Sequence, residues 1–447
     1  MTQTDLIIIG AGPGGYRAAL HAARHGLKVT VFEKGHVGGT CLNEGCIPTK
    51  AYARNAEAVA LMRAAADFGV SLEGGMHFSL QKARSRKDEV VGTLRSGIET
   101  LLSHPNITLV REEARFLGAH TVESHPSGVQ WQATDIIVAT GSVPKTLRLT
   151  SSAPCLDSSD LLQLDELPEH LCIIGAGVIG MEFASIFSAF GTKVTVVEFL
   201  KECLPALDSD IAKRLRKELE KRGVEFCLQC AVTAVTDGGV AYQDKKGREQ
   251  YVESDRVLMA VGRAPRVFDH FGNAGFDYDE RVGIHVDDHC QTTVPGIYAI
   301  GDVNGRQMLA HAAEMQGIHV VNHILGMDDD IDLSIMPAAV FTSPEAAGVG
   351  KTEDQLKQEG VAYECRKAFH RANGKALAMS ETEGMLKLLS EPEAGRILGC
   401  HAYGAHSADL VQEASSLMCR QTTVAQLRHM VHIHPTLSEI LLAAAEA

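Results

Sequence analysis

The sequence predicts an α/β chain in which one strand–turn–helix–strand unit occurs twice, followed by an α+β domain of different character. Three observations carry this. Residues 6–33 read as apolar strand, glycine-rich turn, helix, strand and terminal acid, and residues 171–198 read the same way. After Pro337 the pattern changes: Ala338-Ala339-Val340-Phe341-Thr342, Met385-Leu386-Lys387-Leu388-Leu389 and Ile397-Leu398-Gly399-Cys400-His401 have strand character, helical stretches such as 408–419 follow, and no phosphate loop occurs. Finally, 447 residues exceed what one hydrophobic core can organise.

The balance of 45% hydrophobic and 22% charged residues is that of an ordinary globular chain. A formal charge of −14 argues against a nucleic-acid surface. No window of about 20 apolar residues could span a bilayer. The opening Met1-Thr2-Gln3-Thr4-Asp5 lacks the positive flank of a signal peptide. A cytoplasmic protein with neither a membrane nor a nucleic-acid partner is expected. Its eleven cysteines should then be mostly free, and a disulfide there is more readily catalytic than structural.

The first glycine turn is Gly10-Ala11-Gly12-Pro13-Gly14-Gly15. Gly10 permits the tight turn, Gly12 lets backbone approach a pyrophosphate, and Gly15 lets helix pack on strand. Phosphates would sit at the helix N-terminus, where free N–H groups and the dipole favour anions. Glu33 stands where an acid would hydrogen-bond a ribose hydroxyl. The second turn, Gly175-Ala176-Gly177-Val178-Ile179-Gly180, has Glu198 in the same place. A carboxylate there repels a 2′-phosphate and accepts from a 2′-hydroxyl, so NAD is expected over NADP. Both units are therefore Rossmann-like and dinucleotide-binding. Glu182, in the second helix, is equally an ordinary first-turn acid.

The segment 38–50 bears on the chemistry, with Cys41, Gly45, Cys46, Pro48 and Lys50. Cysteines five positions apart are about 8–9 Å Cα to Cα in an ideal helix, and a disulfide needs less than about 7 Å. A bridge therefore requires a distorted turn, which Gly45 can supply. Pro48 suits the first turn of a helix, so Cys46 would lie near a helix N-terminus, where a thiolate is stabilised. That describes a redox-active pair, although two buried structural thiols could share the spacing. Near the C-terminus, His434 and Glu439 in His432-Ile433-His434-Pro435-Thr436-Leu437-Ser438-Glu439 could form an oriented base, since thiol–disulfide exchange needs a thiolate. A surface pair would look the same. Cys227-Leu228-Gln229-Cys230 has no second pair at zinc-ribbon spacing and reads as packing thiols; no metal is expected. The basic run Lys82-Ala83-Arg84-Ser85-Arg86-Lys87 reads as the solvated face of a helix.

Taken in order, these motifs, with Ala139-Thr140-Gly141 and Gly301-Asp302, resemble the pyridine nucleotide–disulfide oxidoreductases over nearly the whole chain. Gly12-Pro13-Gly14-Gly15-Tyr16, Ala22-Ala23-Arg24-His25-Gly26 and the HPTLSE ending most resemble the dihydrolipoamide dehydrogenases of that family. The resemblance implies an FAD-binding domain at 1–145 and 266–336, an NAD-binding domain at 146–265 and a dimerisation domain at 337–447. It implies that Gly10, Gly12, Gly15, Glu33, Lys50, Ala114, Thr140, Gly141, Asp302 and Ala310 hold FAD. Gly175, Gly177, Gly180, Glu182, Glu198 and Gly262 would hold NAD, with Glu182 paired to Lys50. Cys41 would meet the substrate, Cys46 would face the flavin, and His434, held by Glu439, would act as base from the partner subunit. The implied enzyme is a homodimer that oxidises protein-bound dihydrolipoamide for a 2-oxo acid dehydrogenase complex or the glycine cleavage system. No lipoyl-bearing segment is recognised, so the lipoyl arm would come from another protein. A reductase for glutathione or for mercuric ion is the alternative within the family. Against these, no basic cluster follows Glu198 and no cysteine follows Cys419. A flavin-binding assembly subunit without catalysis would have little need of Cys41, Cys46, His434 and Glu439 together.

Overall fold

The computed structural model describes residues 1–71 and 74–447, which form two compact units. The first comprises Met1–Ala51, Lys82–Lys145 and Gly262–Leu333; the second comprises Tyr52–Gln81, Thr146–Val261 and Ser334–Ala447.

The first unit is built on a five-stranded parallel sheet in the order Ile297–Ala299, Asp135–Val138, Leu6–Ile9, Val29–Phe32, Ile107–Val110. Every residue of Leu6–Ile9 and Val29–Phe32 is buried, as a parallel strand covered on both faces requires. The helices Pro13–Arg24 and Ala310–Ile324 pack together over one face through Ala18, Ala22 and Val321. Helix Leu80–Leu102 begins with the basic run, but Lys87 is buried rather than solvated. It falls on a four-residue stripe with Ala83 and Val91, also buried, which turns that face inward.

The second unit repeats the pattern with a parallel sheet in the order Glu225–Leu228, Lys193–Glu198, His170–Ile174, Arg256–Met259. Tyr52–Gln81 belongs here rather than with the first unit, because Phe78 stacks on Phe190 at 4.2 Å and Tyr52 meets the same ring edge-on. The last quarter of the chain is built on a five-stranded antiparallel sheet, Ala338–Val340, Glu345–Gly350, Ile397–Gly404, Met385–Ser390, Glu364–Phe369. Ser407–Cys419 and Glu439–Glu446 share its core through Leu410, Ala414, Ile440 and Leu441.

A buried ion cluster ties this sheet to the nucleotide-binding fold of the same unit. Lys387 is 1% exposed, and its Nζ lies 2.7 Å from both Asp208 Oδ1 and Glu353 Oε2. Asp208 caps the helix Ser209–Lys221 and also accepts from the Glu353 N–H. Burial pushes the Glu353 carboxyl up, but hydrogen bonds from Lys357, Lys387 and Tyr363 overcome it and hold it at about 2.

Lys387→Met would leave the buried Asp208 carboxylate without its cation, and denaturant unfolding should show a loss of about 3–5 kcal/mol. The Glu353 carboxyl sits below its unfolded value, so its contribution is present above the ordinary carboxylate range and is lost as pH falls towards about 2. The melting temperature of the wild type should therefore fall more steeply through that acid window than that of the Lys387→Met protein.

Candidate active site

Both nucleotide-binding helices begin without a side-chain cap. Gly12 is the N-cap of Pro13–Arg24 and Gly177 that of Val178–Phe190, and neither helix start receives a side-chain hydrogen bond. The first N–H groups of each are left for a ligand or water. Gly15 and Gly180 are demanded by the fold itself, since a Cβ would lie 1.9 Å from Gly10 O and 2.0 Å from Gly175 O. Gly12 and Gly177 are not. A Cβ at Gly177 would meet nothing within 4 Å, and one at Gly12 only Gly39 Cα at 3.9 Å. Open space over an uncapped helix start fits a pyrophosphate. Each terminal acid is fixed by backbone: Glu33 accepts from Ala11 and Gly35 N–H at 2.9 and 2.8 Å, Glu198 from Ala176 and Leu200 N–H at 2.5 and 2.7 Å. One donor on each oxygen leaves lone pairs for a ribose hydroxyl. The residues present therefore fit a dinucleotide in each fold.

The other residues assigned to the flavin lie in the first unit. Asp302 sits in the short turn Gly301–Asn304, and its Oδ2 accepts from Ser142 Oγ at 2.5 Å. Arg263 in turn donates to Ser142 Oγ at 2.7 Å. Sequence spacing gives no signal for Ser142 or Arg263, because they reach Asp302 through pairings more than a hundred residues apart. Thr140 Oγ1 donates to Arg266 O, and Gly141 O accepts from Arg266 N–H. Ala310 opens the helix Ala310–Ile324, whereas Ala114 is buried in the core within Glu113–Gly118. Gly175, Gly177, Gly180, Glu182 and Glu198 share the second unit, while Gly262 falls in the first. Glu182 is buried and accepts from the Phe341 N–H at 2.9 Å.

The thiol pair is shaped by a broken helix. Gly39–Glu44 stops, Gly45 takes a non-helical conformation, and Cys46–Arg63 begins at the second cysteine. A Cβ on Gly45 would lie 3.0 Å from Thr40 O, so glycine lets the turn close here without moving that carbonyl. Cys41 and Cys46 are free thiols in hydrogen-bond contact. The Cys41 thiol is pushed up, first by the bond to Cys46 and then by burial, while Lys50 pulls it down. Lys50 stands one turn beyond Cys46 on the same helix face.

His434 and Glu439 meet in the second unit: Nδ1 lies 2.9 Å from Glu439 Oε1, and Oε2 accepts from the Thr436 N–H at 2.8 Å. Those two bonds, the backbone one first, hold the Glu439 carboxyl low. His434 is 79% exposed. A second pair, His432 with Glu413 at 3.1 Å, is turned inward. Cys227 and Cys230 lie in the core of the second nucleotide fold with Cys172, and Cys227 Sγ is 3.4 Å from Tyr242 Oη. Among the described residues, no three His, Cys, Asp or Glu side chains are placed to hold a metal.

Residues 4–317 match the family described as pyridine nucleotide-disulphide oxidoreductase, and residues 336–445 match its dimerisation domain. The chain belongs to this family. The dihydrolipoyl dehydrogenase of Cupriavidus necator is 38% identical over 100% of this chain and 98% of its own. That of Bacillus subtilis is 38% identical over 98% and 96%. Among solved structures, the HOCl-induced flavoprotein disulfide reductase RclA from Escherichia coli superposes with a TM-score of 0.88 at 30% identity, covering 99% of each chain. Among the described residues, no helix is long and apolar enough to cross a membrane.

The two glycine turns should be separable by substitution. Gly15→Ala should yield protein depleted of bound flavin, read by absorbance. Gly180→Ala should keep the flavin and raise the KM for NAD+ by about tenfold or more, because the Cβ clash displaces the helix start from the phosphates.

Proposed function

We propose that this chain is a dihydrolipoamide dehydrogenase that uses FAD and NAD+, working as a homodimer on lipoyl groups carried by other proteins of the cytoplasm. The contact between Cys41 and Cys46 across the Gly45 break carries the reading. The full-length likeness to dihydrolipoyl dehydrogenases supports the lipoyl substrate.

In the oxidised enzyme Cys41 and Cys46 form a disulfide. His434, with Nδ1 held by Glu439, takes the proton of one substrate thiol at Nε2. The resulting thiolate attacks Cys41 Sγ, and Cys46 leaves as a thiolate beside the helix start. The second substrate thiol then displaces Cys41 Sγ, which closes the lipoyl disulfide and leaves the pair reduced. A bound flavin supplies two-electron transfer between a dithiol and a nicotinamide. Gly12, Gly15 and Glu33 would hold it by its ADP half and Asp302 by its chain, while Gly177, Gly180 and Glu198 would hold NAD+ and refuse a 2′-phosphate. His434 would serve the thiols of the other protomer, consistent with its exposure beside Val431 and Ile433. A second reading, reduction of another disulfide by NADH or NADPH, is favoured by the likeness to RclA.

Steady-state assays of the flavin-loaded protein separate the two. Fast oxidation of dihydrolipoamide with NAD+, and little with NADP+, is expected. Turnover of other disulfides alone would remove the lipoyl assignment. Cys46→Ser should abolish dihydrolipoamide oxidation, and His434→Gln should lower kcat by about 10²–10⁴-fold with the flavin retained. Full activity of either variant would sink the assigned roles.

A further inference from the structure

Three side chains near Cys41 play no part in the mechanism above. Gly39, two residues before Cys41, lies against the glycine turn, since a Cβ on it would sit 2.7 Å from Gly12 Cα. One turn along the helix Pro13–Arg24 come Tyr16 and Arg17. Gly14 lies against Ala313 of the helix Ala310–Ile324, whose carbonyl oxygen would be 2.9 Å from a Cβ there. The next residue, Glu314, therefore meets both: Tyr16 Oη donates to Oε1 at 3.4 Å, and Arg17 Nε stands 3.8 Å from Oε2. Two helices and the thiol segment thus bring a hydroxyl, a guanidinium and a carboxylate to the Cys41 side of the fold. The electrostatics agree: the Tyr16 hydroxyl is pushed up by burial and next by the Glu314 carboxylate, and Cys41 feels that carboxylate after its larger Cys46, burial and Lys50 effects.

Arg17 and Glu314 are both partly exposed, so their charges act into solvent. An unpaired arginine beside a reactive thiol would attract a substrate carboxylate, since its planar fork matches that group. We propose that Glu314 determines specificity at this site: its carboxylate, 3.8 Å from Arg17 Nε, offsets the guanidinium charge that would attract anionic substrates, so that Cys41 meets uncharged dithiols, such as a lipoyl amide, in preference to carboxylate-bearing ones. The proposal rests on the reading of Cys41 as the thiol that meets the substrate. Glu314 acts here through Arg17 and touches no reacting atom.

Dihydrolipoamide and dihydrolipoate share one dithiol and differ in tail charge, so the ratio of their kcat/KM values reads the effect. The holoenzyme is assayed with NAD+ as wild type, Glu314→Gln, Arg17→Gln and the double variant, at low and at physiological ionic strength. Glu314→Gln should lower the amide-to-acid ratio by about threefold or more, mainly through the KM of the acid, and salt should shrink that change. Arg17→Gln leaves the carboxylate unopposed, so it should raise the ratio. In the double variant the ratio should return towards the wild-type value. General structural damage would lower both activities and leave the ratio in place. An unmoved ratio in the single variants, or two shifts of the same sign, overturns the proposal. If the wild type oxidises neither dithiol, the lipoyl reading falls instead. The same shifts are then sought with NADH on bis(hydroxyethyl) disulfide against dithiodiglycolate, and their absence there overturns the proposal as well.

Discussion

A helix that starts without a side-chain cap leaves donors that something else must satisfy, and both glycine turns of this molecule open such a helix. Gly12 and Gly177 open helices whose first N–H groups receive no side chain. In each unit the parallel sheet ends its strands at the same edge, so the uncapped start, the preceding strand and the next strand's acid converge without further design. Glu33 and Glu198 are then fixed by the alanine of their own turn. The tight contact of Gly15 with Gly10, and of Gly180 with Gly175, makes the constraint rigid, because no other residue can stand there. The family's two nucleotides follow from one piece of backbone geometry used twice.

The thiol chemistry depends on a different constraint with the same logic. Two cysteines five positions apart meet because the helix is interrupted at Gly45, and the restarted helix places Cys46 at its N-terminus. The two sulfurs are not equivalent. Cys41 holds its proton, chiefly through its bond to Cys46, and Lys50 only partly offsets that effect. Cys46 begins the restarted helix, and the positive end of a helix dipole favours a thiolate there. Attack on a disulfide needs a thiolate, so a dithiol substrate must lose a proton first and the proposed reaction needs a base. His434 and Glu439 are suited to that role, because the carboxylate is held low by the Thr436 N–H and by the imidazole itself, so it stays charged and fixes the ring.

What the sequence disclosed was local. The glycine turns, their acids and the Gly45 break each lie within a few tens of residues, where spacing alone constrains the backbone. What it hid was distant. Tyr16 meets Glu314 across 298 positions, Ser142 meets Asp302 across 160, and Lys387 meets Asp208 across 179. No periodicity reports such pairs. Lys87 shows a second kind of miss, since its neighbours' charges suggested a solvated face while the four-residue spacing of Ala83, Lys87 and Val91 pointed inward. Hydrophobic period was the better guide there than charge, as expected when a long helix packs on one side. The gathering of Tyr52–Gln81 with the second nucleotide fold likewise rests on aromatic contacts to Phe190 that no linker signal foretells.

The Lys387 cluster raises the question of why a buried ion pair should stand where apolar packing would do. Removing charges from water costs several kcal/mol per ion, and a well-packed hydrophobic substitute is often as stable. Geometry distinguishes the two solutions. Lys387 touches Asp208, which caps a helix of the nucleotide-binding fold, and Glu353, which begins a helix of the C-terminal sheet domain. Asp208 also binds the Glu353 backbone, and Ser209 binds Asp354 through both N–H and Oγ. Apolar side chains would hold these two parts together with tolerance for sliding, whereas directional bonds to three helix-terminal groups permit one register. Glu182 contributes a further bond of that kind, through its carboxylate to the Phe341 N–H. Glu198 and the His434–Glu439 pair lie in the same compact unit as these bonds, which fix the register of its nucleotide-binding fold against its C-terminal sheet.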